Sequence, residues 1–552
     1  TLWGVFAPGR GWCAVGAVVF MKHFRVAFEP DGKEISIHQG ATLVEAAGLA
    51  GIVLNTSCGG RGTCGKCVVR LGPDDREVLA CQQTVQSDLT VTVPAESRFY
   101  AHKILEHGLE RTTGLRRTVV ERYRTVAGPT AIYGVAVDIG TTTVVAKLID
   151  LADGRSVATR AMLNPQTQFG DDVVSRISYA ESEAGLARLR AVIVDGINEL
   201  IQGLCDVARI DATAIYEASI VGNTTMNHIF LGFPVRQLGQ APYLAHSVDA
   251  HDVPPGQVGL RMNPAGNIHA AENIAGFLGS DTTAVALAVD MDCASQMILV
   301  VDIGTNGELV LGTGERLYAA SCAAGPALEG ARIRHGSRAA EGAIEAVVID
   351  NNDIALDVIG DVPPRSICGS GLIDAVSVLL ESGVVDASGR FADAGQVRSR
   401  CPGRLASRLI DFEGQPAFRL SDGTQTAGPG VVLTQKDVRE FQLAKGAIQA
   451  GIRLLLAKMG IDAGDLERVL LAGAFGNYIR PTSAVRVGLL PNVPLERIHF
   501  VGNAAATGAQ MLLLSDDCRA TAASLTRRIE YVEIAHEKSF GEVFAESMLL
   551  SP

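Results

Sequence analysis

At 552 residues the chain is too long for one hydrophobic core, and three or more domains are expected. Apolar residues make up 47% and charged residues 20%, the proportions of a globular protein rather than of a disordered one. A formal net charge of −12 gives no electrostatic reason to bind nucleic acid or an anionic membrane, and no apolar run approaches the ~20 residues that span a bilayer.

Met21-Lys22 directly precedes the first well-patterned segment, so residues 1–20 are expected to stand outside the fold as an extension, with a short targeting segment as the alternative. From Phe24 to Phe28 and from Glu34 to Ile37 apolar and polar residues alternate around Pro30-Asp31-Gly32, which predicts a hairpin. Thr42-Leu43-Val44-Glu45 has the form of a capping box and predicts a short helix through Leu49. A glycine-rich loop carrying Cys58, Cys64 and Cys67 then leads into a strand from Val68 to Leu71, and after Cys81 the segment Leu89 to Val93 alternates again. Two hairpins around one helix make a β-grasp, here spanning 21–96.

The chain holds 11 cysteines, and four of them share this segment in the spacing C-x5-C-x2-C-x13-C. Seven others are scattered singly, which is not how a secreted disulfide framework is built. Four converging thiolates in a glycine-rich loop suit a [2Fe–2S] cluster. Zinc is the rival occupant, but its sites usually pair two short knuckles and only Cys64 and Cys67 form one. Within the same loop Gly60-x4-Gly65-Lys66 matches most of a P-loop. Cys67 stands where a magnesium-binding hydroxyl belongs and no crossover helix follows, so that reading is rejected.

Residues 97–130 form a linker rich in Arg, Lys and His up to Arg124. A solvated connector is the plain expectation; a hinge that lets the first domain move is the other. Beyond it the chain repeats itself. Val135-Ala136-Val137-Asp138-Ile139-Gly140-Thr141-Thr142 is followed by a second apolar run, and Val300-Val301-Asp302-Ile303-Gly304-Thr305-Asn306 repeats the pattern 164 residues later. Each predicts a strand, a turn and a second strand. Gly and hydroxyl residues in such a turn can aim amides at a phosphate, while the Asp at the strand end can hold hydrated magnesium. One turn is a weak signal; two suggest a duplicated fold closing on one nucleotide, with a first lobe at 131–297 and a second at 298–552. Further glycine turns fall at Gly222-Asn223-Thr224, at Cys368-Gly369-Ser370 and at Gly502-Asn503, and Gly473-Ala474-Phe475-Gly476 follows a predicted strand. A long amphipathic helix is predicted from near Thr434 to Gly460, with Val438, Phe441, Ile448, Ile452, Leu455 and Leu456 on one face. The class is multidomain α/β.

The two D-I-G-T turns and the Ala472-Gly473-Ala474-Phe475-Gly476 segment resemble the phosphate and adenosine motifs of the ASKHA superfamily (acetate and sugar kinases, heat-shock chaperones, actin). Joined to a ferredoxin domain, the chain resembles the RACo-type reductive activators of corrinoid-dependent enzymes. Val221-Gly222-Asn223-Thr224-Thr225-Met226, Ala275-Gly276-Phe277-Leu278-Gly279-Ser280-Asp281, Ser321-Cys322-Ala323-Ala324-Gly325-Pro326-Ala327-Leu328-Glu329-Gly330 and Ile367-Cys368-Gly369-Ser370-Gly371-Leu372 carry that likeness, which covers about residues 22–515.

The resemblance implies duplicated RNase H-like lobes and an ATP-dependent step in which one electron from a [2Fe–2S] cluster returns a Co(II) corrinoid to Co(I). It also implies a corrinoid protein partner from a methyltransferase system, an upstream electron donor, a homodimer and a cytoplasmic location. Cys58, Cys64, Cys67 and Cys81 would hold the cluster. Gly140, Thr141, Thr142, Gly304, Thr305 and Asn306 would meet the ATP phosphates, with Asp138 and Asp302 near Mg2+ and Gly473, Ala474, Phe475 and Gly476 against the adenosine. Gly222, Asn223 and Thr224 are the alternative phosphate contacts if the first turn serves dimerisation. Glu308, Glu272 and Asp281 are candidates for a hydrolytic base. Cys322, Cys368, Cys13, Cys205, Cys293, Cys401 and Cys518 are read as buried small apolar residues. His228 is read as structural or docking, and no corrinoid-ligand motif D-x-H-x-x-G occurs. A small-molecule kinase with an accessory ferredoxin, an activator of 2-hydroxyacyl-CoA dehydratases and a zinc-bearing ATP-gated binding module are the competing functions.

Overall fold

The structure, a computed structural model, describes residues 19–20, 22–30, 32–50, 52, 54, 62, 67–72, 75–94, 97, 116–124, 131–170, 172–350, 353–360, 362–393, 395, 397, 404–422, 430–473 and 479–551. Cys58, Cys64, Ala474, Phe475 and Gly476 lie outside the described residues, as does most of the linker.

The N-terminal domain is a five-stranded sheet in the order Lys33–His38, His23–Glu29, Leu89–Thr92, Val68–Leu71, Arg76–Leu79. Alternation decides its inner face: Val26, Phe28, Val69 and Val91 are buried against Leu43 of the helix Leu43–Leu49. That helix starts with the expected box, Thr42 N–H donating to Glu45 Oε2 (2.7 Å) and Glu45 N–H to Thr42 Oγ1 (3.2 Å).

Two six-stranded sheets centre the two lobes, beside a four-stranded and a three-stranded sheet, and the likeness of the larger two is the duplication made visible. In the first, the antiparallel hairpin Tyr133–Ile139/Thr143–Asp150 is extended by Ser156–Leu163, while Tyr133–Ile139 pairs in parallel with Ile215–Gly222. In the second, Ile298–Ile303/Gly307–Gly312 is extended by Leu317–Cys322, while Ile298–Ile303 pairs in parallel with Arg468–Ala472. Asp138 and Asp302 occupy the same place, one residue before the end of the first strand. The helices Ser280–Ala288 and Ala504–Leu514 pack against each other between the sheets. Gly508 makes this possible, since a Cβ there would stand 2.1 Å from the Ala284 carbonyl. The long helix runs Gln435–Met459 with Thr434 as its cap, ends at Gly460 (φ 75°), and buries all six residues expected on its inner face.

Two expectations are corrected. Residues 1–20 do not all stand apart, because Val19–Phe20 form a strand parallel to Ala355–Leu356 of the second lobe. Nor is the described part of the linker a solvated connector: Val119, Val120 and Tyr123 are buried, and Tyr123 donates to the fully buried Glu217. Arg519 reaches the same Glu217 from the second lobe (2.7 Å), so this segment is clamped at the seam between lobes. The N-terminal domain meets the second lobe through His23 Nε2–Asp357 (2.6 Å) and through His38, which lies 3.1 Å from Arg480, itself 3.5 Å from Asp374.

Candidate functional site

Both D-I-G-T turns open into one cavity of ≈ 490 Å³ between the lobes. Gly140, Thr141 and Thr142 line it from the first lobe, and Gly304, Thr305 and Asn306 from the second. The turns close at different lengths, with Gly140 N–H donating to the Thr143 carbonyl (3.0 Å) and Gly304 N–H to that of Asn306 (2.9 Å). The first is also held from behind. Asn164 Nδ2 donates to the Gly140 carbonyl (2.8 Å) and the fully buried Arg176 donates to that of Thr141 (2.6 Å).

Helix starts complete the walls. Asn223 caps Thr224–Leu231 by accepting from Met226 N–H (3.0 Å) and donates through Nδ2 to Thr141 Oγ1 (2.9 Å). Asn503 caps Ala504–Leu514 in the same way, accepting from Ala506 N–H (2.9 Å). Gly369–Glu381 begins at Cys368 without a side-chain cap, and Gly369 and Ser370, at this helix N-terminus, line the cavity.

Six carboxylates line the space, from Asp138, Asp281, Asp302, Glu308, Glu329 and Glu345, against one cation, Arg338, among the described lining residues. Burial, and then the charges of Asp281 and Asp302, push the Asp138 carboxyl up to about 8. Burial and Asp281 push Asp302 up to about 7, and burial alone raises Asp281 to about 6. Glu308 is raised well above its ordinary value by burial and by the same two aspartates. Crowded carboxylates that keep their protons this far are a place for a divalent cation. Glu329 carries one oxygen to each lobe's turn: Thr142 Oγ1 donates to Oε2 (3.0 Å) and Thr305 Oγ1 donates to Oε1.

Other expected residues fall elsewhere. Gly222 and Thr224 sit behind the cavity, the first bonded through both backbone groups to Ser280 Oγ (3.1 Å each), the second donating to the Ala275 carbonyl (2.6 Å). Gly473 stands behind Asp302 at φ 90°, where a Cβ would come within 2.7 Å of Asp302 Oδ1. Of the three proposed bases Asp281 and Glu308 line the cavity and Glu272 does not. Cys322 and Cys368 are buried, with thiols pushed up by burial. Cys293 is exposed, against expectation. His228 is structural: its Nε2 accepts from the amides of His246 (3.1 Å) and Ser247 (3.3 Å), and burial pushes its pKa down to about 4.

In the N-terminal domain Cys67 and Cys81 are buried at the two ends of the hairpin Val68–Leu71/Arg76–Leu79. Ala80 N–H donates to the Cys67 carbonyl (2.9 Å), which brings the two cysteines to one edge of the sheet. Glu329, Arg338 and Glu345 line the cavity without a role in the sequence reading, and Asn503 entered it only as part of a glycine turn. Asn503 was within reach as an Asn immediately before a helical run; Glu329 had no local signal.

Comparison with known proteins gives three successive family matches: the 2Fe-2S iron–sulfur cluster binding domain at residues 24–95, the RACo middle region at 133–294, and the C-terminal domain of RACo, the ASKHA domain, at 296–552. The chain is 34% identical to the corrinoid activation enzyme RamQ of Eubacterium limosum, over 94% of this chain and 98% of that one. It is 27% identical to the [Co(II) methylated amine-specific corrinoid protein] reductase of Methanosarcina barkeri, over 69% and 70%. Among solved structures, a reductive activator for a corrinoid, iron–sulfur protein superposes with a TM-score of 0.69 at 30% identity, over 96% of this chain and 98% of that one.

Proposed function

The chain belongs to the RACo family of reductive activators, and from that premise we propose that it restores a partner's inactive Co(II) corrinoid to Co(I), using one electron carried by its N-terminal domain in a step driven by ATP. The observation that carries the nucleotide half is the convergence of both D-I-G-T turns on one acidic cavity. An acidic cavity favours polyphosphate that arrives with its cation, so Mg-ATP suits it better than free ATP. Asp138 and Asp302, at equivalent ends of the two central strands, would hold the hydrated Mg2+. Gly140, Thr141 and Thr142 with Gly304, Thr305 and Asn306 would meet the phosphates, and Gly473 supports Asp302 from behind. Adenosine contacts from Ala474, Phe475 and Gly476 belong to the same reading.

The paired burial of Cys67 and Cys81 fits a [2Fe–2S] cluster completed by Cys58 and Cys64; when bound, it supplies a one-electron couple near roughly −400 mV. Each ~59 mV uphill lowers a one-electron equilibrium about tenfold, and two or three such steps are within reach of a nucleotide-driven change of docked state. The corrinoid is assigned to a partner protein, because the chain has no D-x-H-x-x-G motif. A homodimer, an upstream electron donor and a cytoplasmic location complete the proposal; no helix of the described residues is long and apolar enough to cross a membrane.

The test is to reduce the anaerobically purified protein, mix it with a Co(II) corrinoid protein of its source, and follow Co(I) absorption with and without Mg-ATP. Co(I) that forms only, or much faster, with Mg-ATP and is lost in Cys64→Ala supports the proposal. No Co(I) with any such partner, or a rate indifferent to ATP, refutes it.

A further inference from the structure

A threonine hydroxyl has one proton to donate. In this structure the hydroxyls of Thr142 and Thr305 both spend theirs on the same carboxylate, Glu329, which thereby ties the two turns together across the interlobe cavity. The two hydroxyls lie 3.3 Å apart, so the carboxylate sits at the one place where both turns can be touched at once. A phosphate contacting both turns needs those two protons and that place. It also brings negative charge to a position already held by an anion.

We propose that Glu329 stands in for the terminal phosphate of ATP, occupying its seat between Thr142 and Thr305 until the nucleotide displaces it. This rests on the nucleotide reading of the cavity and deepens it, by naming the group that the terminal phosphate must compete with. Ala327 and Leu328, just before Glu329, are buried in the second lobe and fix the backbone of the turn Pro326–Glu329. The Glu329 side chain is therefore the part that moves. With it gone, the hydroxyls are free for phosphate and the tie between lobes passes from protein to nucleotide. A nucleotide without the terminal phosphate does not reach the seat and leaves Glu329 in place. The cavity thus discriminates nucleotides by the length of the phosphate chain, with Glu329 as the positioning residue.

The experiment uses the full anaerobic chain, its Glu329→Ala variant and its near-isosteric Glu329→Gln variant, each checked by circular dichroism, and measures calorimetric Kd values for Mg-ATP, Mg-ADP and AMP. Removing the competing carboxylate should tighten Mg-ATP by about tenfold or more in both variants, while AMP changes by less than about twofold. Unchanged or weaker Mg-ATP binding in the variants overturns the proposal, and so does an equal tightening of AMP. Wild-type protein that binds none of the three overturns the nucleotide reading itself, an outcome distinct from wild-type binding that the variants fail to improve.

Discussion

The carboxylates of the interlobe cavity bind protons that Mg2+ must evict, and this can be counted. Asp138 titrates at about 8 and Asp302 at about 7. At pH 7 the first is mostly protonated and the second about half, so a cation that needs both ionised should release about one and a half protons. Above pH 9 both are already ionised and the release should fall towards zero. Calorimetry of Mg-ADP binding in two buffers of different ionisation enthalpy reads the number directly. Asp138→Asn should remove the larger share of the release at pH 7. The same shifts set a stability profile without Mg2+. A carboxyl whose folded pKa exceeds its unfolded value keeps its proton on folding, so its contribution is full below the unfolded pKa and is lost as pH rises through the folded one. Asp281 at about 6 adds to the same window. The metal-free melting temperature should therefore fall from about pH 4 to about pH 8.5, less so in Asp138→Asn. Proton release near zero at pH 7, with binding and melting indifferent to pH over that range, would refute the electrostatic account of the site.

Three further outcomes are expected. Gly473→Ala puts a Cβ 2.7 Å from Asp302 Oδ1 at φ 90°; the left-handed backbone alone costs about 1–2 kcal/mol, and the displaced carboxylate should weaken Mg-nucleotide binding about tenfold or more by calorimetry with the far-UV circular dichroism unchanged. Arg519→Ala leaves Glu217, 0% exposed, without its cation; breaking a buried pair costs about 3–5 kcal/mol, so melting should drop and trypsin should newly cut at Arg122 or Arg124. Arg480→Ala breaks the link from Asp374 to His38, and the radius of gyration from small-angle X-ray scattering should rise as the N-terminal domain leaves the second lobe; an unchanged profile counts against docking through this contact.

What the sequence made legible was what it encodes locally. The D-I-G-T turns, the capping box at Thr42, the start near Thr434 and the inner face of Gln435–Met459 each lie within a few turns of chain, and the structure has them in place. That both turns share one cavity was open, because the way two lobes close on each other leaves no periodic trace in either. Glu329 was invisible as a site residue for the same reason: its partners are 24 and 187 residues away. Asp302 looked like a ligand and is one wall of the cavity, while Gly473, read as an adenosine contact, stands directly behind it. The linker misled by composition. Its basic residues suggested solvent, yet Val119, Val120 and Tyr123 bury one short face that is too brief to register as a helical period.

These placements bear on how a nucleotide between the lobes can govern a domain outside them. The helix Gly369–Glu381 presents Gly369 and Ser370 to the cavity and carries Asp374, beside Arg480 and so next to His38 of the N-terminal domain. The strand Ala343–Asp350 presents Glu345 to the same cavity and pairs with Asp353–Val358, whose Asp357 meets His23. The second lobe thus reaches both the cavity and the N-terminal domain through one helix and one strand pair, with Asp374 mid-helix and Asp357 opposite Ala346, beside Glu345. Between the domains, the linker segment is pinned at the seam by Glu217 of the first lobe, which Arg519 of the second also holds. A ligand moves an equilibrium only by its difference in affinity for the two states. A change in the angle between lobes alters the seam and the Thr142–Thr305 tie, and it carries the N-terminal domain, docked on the second lobe at Asp357 and Arg480, relative to the first. Lobe closure is therefore the coordinate through which binding at the cavity can be felt by the N-terminal domain.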